Sequence, residues 1–138
     1  MPVMIYKEAD ITYELTVKGH FAAAHRLDHY QGKCPNIHGH TWTVEVVVSG
    51  EKVDQCGMLI DFKILKEKLK SVIGEMDHSY LNELEPFCGG SEVYNPTAEN
   101  LARYIYQNIS TELKGIVDGL KVCSVRVWES PDASACYY

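Results

Sequence analysis

The sequence predicts an α+β domain, an antiparallel sheet with helices packed on one of its faces. Two observations carry this. Residues alternate with a period of two near both ends of the chain, and two apolar stripes of helical spacing lie between them. At 138 residues the chain suits a single domain, and no repeat, low-complexity tract or linker divides it, so residues 1–138 are read as one unit.

The first strand starts the pattern. Ile11, Tyr13, Leu15, Val17, Phe21, Ala23 and His25 share one parity, and Thr12, Glu14, Thr16 and Lys18 take the other. Opposite faces of a strand see core and solvent, so this segment has one buried face. Asp28 to Pro35 holds Gly and Pro and reads as a loop. A second alternation sets His38, His40, Trp42, Val44, Val46 and Val48 against Thr41, Thr43 and Glu45, and ends at Ser49-Gly50. The modest connection predicts an antiparallel pair. Asp61 is placed to cap a helix whose apolar stripe is Phe62, Leu65, Leu69, Val72, Ile73 and Met76. Thr97 caps a second helix with Leu101, Ile105, Ile109 and Leu113 on its inner face, and Gly115 and Gly119 mark its exit. "KVCSVRVWES" returns to strand, with Cys123, Val125, Val127 and Glu129 on one face, and "ASACYY" makes a short last strand. The order is ββααββ. In the strand before Pro131, Val122 and Trp128 oppose Val125 and Val127, so both sheet faces are expected to be covered. A four-stranded sheet cannot cover its second face alone, which predicts assembly with other subunits.

Composition excludes several classes. A net charge of −6 opposes general nucleic-acid or lipid binding, because phosphate surfaces attract basic ones. Five cysteines at irregular spacing, with no Cys-x-x-Cys pair, argue against a disulfide framework and for a reducing compartment. "MPVMIYKEAD" lacks the basic start and apolar core of a signal peptide, and no apolar run is long enough to span a bilayer. The expectation is a cytoplasmic protein.

The chemistry concentrates in "CPNIHGH", Cys34 to His40. His38 and His40 are two apart, so on a strand they point to the same side. His25 ends the preceding strand on its apolar parity. If the strands pair, three imidazoles converge, and three His ligands with an open position is a catalytic zinc arrangement. Imidazole also suits Fe, Ni or Cu. A single strand histidine is more often a packed residue than a ligand, and His20 and His29 are read that way, at the surface or rim. Cys34 is open to two roles: a fourth ligand that closes a structural site, or a free thiol acting as base or nucleophile beside the metal. Asp77-His78 follows the first helix, either as a solvated helix end or as an Asp–His pair partnering a thiol. Glu129 sits on an otherwise apolar face, where a carboxylate needs a partner. A ligand with two adjacent N–H donors would supply one.

His25, "CPNIHGH", "MDHSYLN", "NPTAEN" and "VWES", together with "FAAAHRL" and "GMLIDF", resemble the 6-pyruvoyltetrahydropterin synthase family over nearly the whole chain. The four-residue step from Cys34 to His38 is similar to its 6-carboxy-5,6,7,8-tetrahydropterin synthase branch, from the queuosine and deazapurine pathway. The animal pyruvoyl enzymes carry a longer insertion there. The resemblance implies the tunnelling fold, ββααββ units with a four-stranded antiparallel sheet that assemble into oligomeric barrels, typically hexamers of two trimers with sites between subunits. It implies Zn2+ held by His25, His38 and His40, with Cys34 as proton acceptor and Asp77 and His78 assisting. Glu129 would grip the 2-amino and N3–H edge of a pterin, with Thr97 near the same ring. The implied reaction converts 7,8-dihydroneopterin triphosphate to 6-carboxytetrahydropterin, releasing acetaldehyde and triphosphate. Arg26 and Lys33 flank the site as triphosphate contacts or as plain surface cations. Three rivals stand beside this: the pyruvoyl synthase of the biopterin pathway, a non-enzymatic zinc-stabilised assembly module, and dihydroneopterin aldolase, which shares the fold but needs no His triad.

Overall fold

The computed structural model of the chain describes residues 12–28, 36–88 and 94–138. Its elements run β1 (Tyr13–His25), β2 (His38–Gly50), α1 (Phe62–Gly74), β3 (Ser79–Tyr80), α2 (Ala98–Leu113), β4 (Lys121–Ser130) and β5 (Ala133–Tyr137). The sheet order is β3-β1-β2-β4-β5. The four expected strands form a continuous antiparallel array, with β1 and β2 paired over their full length from Tyr13 opposite Gly50 to His25 opposite His38. A two-residue fifth strand, β3, joins the edge beside Ala23 and Ala24 of β1 in parallel. The sheet is open: β3 and β5 are its two ends.

Both helices lie on one face. Val17, Phe21, Trp42, Val44, Val46, Val125 and Val127 of the sheet are buried with Leu65, Leu69 and Ile73 of α1 and Leu101, Ile105 and Ile109 of α2. The helix starts follow from their caps: the Asp61 carboxylate accepts from the Lys63 amide at 2.8 Å, and the Thr97 hydroxyl from the Asn100 amide at 3.2 Å. Each satisfies an amide that has no partner within the helix. Gly115 and Gly119, past the end of α2, have φ of 79° and 76°, a region that suits glycine.

Two expectations about side chains are corrected. Phe62, assigned to the buried stripe of α1, is 52% exposed. It follows the cap Asp61 directly, in the first turn of the helix. Val122 was expected on the second sheet face, but it packs against the core. The β2–β4 register shifts between Val47 and Val48, so that Val48 faces Val122 while Val47 faces Ser124. The extra residue, Cys123, forms a bulge and reverses the parity on one side of it. Trp128 keeps the predicted parity. Among the described residues no helix is long and apolar enough to cross a membrane.

Candidate metal centre

The pairing of β1 with β2 builds the site. His25 ends β1 directly opposite His38, which starts β2. Residues opposed across an antiparallel pair present side chains to the same face, and His40 follows on that face two residues on. The three ring centroids are 4.5, 5.1 and 4.8 Å apart, and the Nε2 atoms of His25 and His38 approach to 3.0 Å. Glu129, next to the end of β4, completes the group. Its Oε1 is 3.4 Å from His25 Nε2 and 3.3 Å from His40 Nε2. One donor atom from each of these four residues lies within 4.8 Å of every other.

Main-chain carbonyls set the tautomers. His25 Nδ1 is 2.8 Å from the Pro96 oxygen, and His38 Nδ1 is 2.9 Å from the Asn36 oxygen. A carbonyl only accepts, so both Nδ1 atoms carry the proton and donate it. In the neutral rings each Nε2 is then a bare lone pair, and the two face one another at 3.0 Å. The buried Nε2 of His40 has no hydrogen-bond partner, and a carboxylate oxygen points into the same space. Lone pairs aimed at a common point repel unless a cation or a proton lies between them. The donor set of imidazole nitrogens and one carboxylate, with the His25 and His38 rings oriented from their far sides, fits a divalent transition ion such as zinc.

Burial supports the neutral rings. His25 is 1% exposed, and Trp42 walls it and His40 with ring centroids at 5.0 and 5.1 Å. Loss of water around His25 and His40 lowers both pKa values from 6.5, outweighing the Pro96 hydrogen bond at His25 and the pull of Glu129 at His40. Both are neutral, the form that binds metal, at neutral pH.

The other expected residues fall into three groups. Glu129 has the parity expected of it, and its partners within the chain are imidazoles. Asp77 and His78 pair at 3.0 Å between Nδ1 and Oδ2, and the Asp77 carboxylate accepts the Ala22 amide at 2.9 Å, which lowers its pKa. This fastens the pair to the edge of β1, but the His78 ring is 84% exposed and no hydrogen bond joins the pair to the three imidazoles among the described residues. Thr97 spends an oxygen lone pair on the helix cap and keeps its hydroxyl proton to donate. Arg26 is engaged by Asp28 at 3.1 Å, and His20 lies exposed against Thr43, as a surface residue should. Cys34, Lys33 and His29 lie outside the described residues.

Sequence reasoning missed the residues that hold the site in place. Asn82 accepts from the Arg26 amide and donates to the Arg26 carbonyl, both at 2.8 Å. Asn95 does the same for Asp28, at 2.9 and 2.6 Å. Two amide side chains thus imitate neighbouring strands and fix the chain where it leaves His25. Both lie in stretches singled out above, "MDHSYLN" and "NPTAEN", and an Asn beside Pro was the available signal.

Comparison with known proteins identifies the family. The family described as 6-pyruvoyl tetrahydropterin synthase matches residues 14–138. The chain belongs to this family. A relative from Bacillus subtilis named 6-carboxy-5,6,7,8-tetrahydropterin synthase is 36% identical over 137 residues, covering 97% of this chain and 91% of that protein. One of the same name from Haemophilus influenzae is 33% identical, covering 91% and 98%. The solved 6-pyruvoyl tetrahydropterin synthase of Caenorhabditis elegans superposes with a TM-score of 0.77 at 27% identity, covering 91% of this chain and 94% of that one. A Plasmodium vivax structure at 23% identity and a TM-score of 0.75 shares the fold. The family's tunnelling fold is therefore the fold of this chain.

Proposed function

We propose that this tetrahydropterin synthase family member is a zinc-dependent 6-carboxy-5,6,7,8-tetrahydropterin synthase. It converts 7,8-dihydroneopterin triphosphate and one water to 6-carboxytetrahydropterin, the water supplying the second carboxyl oxygen, and releases acetaldehyde and triphosphate. The observation that supports it most is the meeting of two proton-free Nε2 atoms at 3.0 Å with a carboxylate beside them. The names of the Bacillus and Haemophilus relatives favour the carboxy product.

In this reading His25, His38 and His40 hold the ion. When bound, it supplies a Lewis acid that acidifies protons on the substrate side chain. Trp42 closes the floor of the site and keeps water from the inner rings. Cys34, as thiolate, accepts the substrate proton, and His78, oriented by Asp77, takes part in its transfer. Glu129 and Thr97 orient the heterocycle, the carboxylate through paired hydrogen bonds to adjacent N–H groups. The exposure of His78 supports a site completed between subunits, in which the Asp77–His78 pair of one copy serves the imidazoles of another. The homo-oligomer, a trimer or hexamer, belongs to the same proposal.

Incubation with 7,8-dihydroneopterin triphosphate, followed by mass spectrometry of the products, tests the reaction. Acetaldehyde and a 6-carboxypterin are expected. A retained three-carbon side chain would instead assign the pyruvoyl synthase activity. Cys34→Ala is expected to keep its metal and lose turnover by at least a hundredfold, on the scale of a lost proton-transfer group. Loss of metal in that variant would make the thiol a ligand.

A further inference from the structure

We propose that Glu129 is a displaceable fourth ligand: it closes the metal's remaining position while the site is empty of substrate and lets go when substrate enters. The inference rests on the metal reading above and adds to it a second role for Glu129, beyond holding the heterocycle.

The distances carry it. Donors on a tetrahedron with bonds of about 2.0–2.1 Å lie about 3.4 Å apart. Oε1 of Glu129 stands 3.4 Å from His25 Nε2 and 3.3 Å from His40 Nε2, along edges of such a tetrahedron. A carboxylate that only gripped a ring further out would have no reason to place one oxygen there. His40 Nε2 is buried and lacks any hydrogen-bond partner, so the carboxylate is not held in place by a proton shared with that ring. Freedom to leave is equally visible. The Glu129 side chain is 38% exposed, whereas His25 is 1% exposed and fixed by Pro96. The bulge between Trp128 and Ser130 breaks the β4–β5 register at Glu129, so it has no paired neighbour across the strand. Two of the imidazoles are anchored through Nδ1, and the carboxylate is more exposed than His25 or His40, which suits an ion that must be held between turnovers and opened for each one. The exchange is balanced: one anionic oxygen leaves the ion as the substrate enters, and the freed carboxylate turns to the N–H donors of the ring.

The test uses Co2+ loaded into metal-stripped full-length protein, read by its visible absorption and by competition with a chelator. Glu129→Gln and Glu129→Ala are expected to bind Co2+ on the order of 10–100-fold more weakly than wild type and to show an altered visible band. Addition of 7,8-dihydroneopterin should shift the wild-type band toward that of the variants and leave theirs nearly unchanged. Circular dichroism confirms that the variants are folded. Wild-type affinity and spectrum in both variants would overturn the inference while leaving the metal site standing. Failure of wild type itself to bind Co2+ would overturn both.

Discussion

His78 has φ of 57°, a left-handed conformation that costs a residue with a side chain about 1 kcal/mol or more. Its amide donates to the Ala22 carbonyl at 2.6 Å, which holds the backbone in that state. Glycine would adopt it freely. His78→Gly is therefore expected to raise stability by about 1 kcal/mol in chemical denaturation while turnover falls sharply. Equal stability in Gly and Ala variants would show that the backbone is unstrained. A different balance holds at Trp42, which is fully buried beneath the imidazoles and donates to the Ala23 carbonyl. Trp42→Ala should cost about 3–5 kcal/mol and weaken metal binding, both measurable on the purified variant. The imidazoles themselves were legible in the sequence, because strand parity and one pairing suffice to place them. Their orienting partners were not. Pro96 and Asn36 act through main-chain oxygens, which every residue type possesses, so no side-chain pattern announces them.

At the scale of elements, two packing decisions position the site. Asn82 and Asn95 clamp the exit of β1 through the backbone of Arg26 and Asp28. Asn95→Ala removes bonds to both backbone atoms of Asp28, and is expected to cost about 1–3 kcal/mol and to lower kcat more than it weakens metal binding. Metal titration alongside steady-state kinetics separates the two effects. The second decision is the close approach of α1 to β1 at Gly19, where an added Cβ would stand 2.9 Å from Ile73 and 3.2 Å from Leu69. Gly19→Ile should destabilise by roughly 1–3 kcal/mol through overpacking, read as a lowered Tm. The helices and long strands were readable because period and caps agree at each one. The bulge at Cys123 was hidden, since an inserted residue leaves composition unchanged while reversing parity, and this misplaced Val122. β3 was hidden because two residues cannot display a period. Its place is set by the Asp77 carboxylate on the Ala22 amide, a contact between residues far apart in sequence.

Over the whole molecule, the second sheet face proves more polar than expected. Lys18 pairs with Glu45 at 3.6 Å, His20 meets Thr43, and Arg126 bonds Ser134 while lying 5.9 Å from the centre of the Trp128 ring. Such a face tolerates water, and in the proposed oligomer the open ends of the sheet and the outward His78 are further surfaces for a partner. Native mass spectrometry is expected to give a trimer or hexamer; a monomer at working concentration would sink the shared-site arrangement. The metal-free protein should also respond to acid in a definite direction. His25 and His40 have folded pKa values below 6.5, so the unfolded chain binds more protons in the window beneath that value. Their contribution to stability is complete above about pH 6.5 and is lost as pH falls through the folded pKa values. A Tm that stayed level on acidification through that window would contradict this. The carbonyl partners of His25 and His38 have an electrical consequence as well. A carboxylate in either place would feed electron density through the ring and mute the ion. With neutral oxygens behind these rings, an ion bound as proposed would keep more of its charge once Glu129 lets go, at the mouth of a chain whose net charge is −6. Under the proposed function, an acidic protein would thereby offer its triphosphate substrate a local electropositive target.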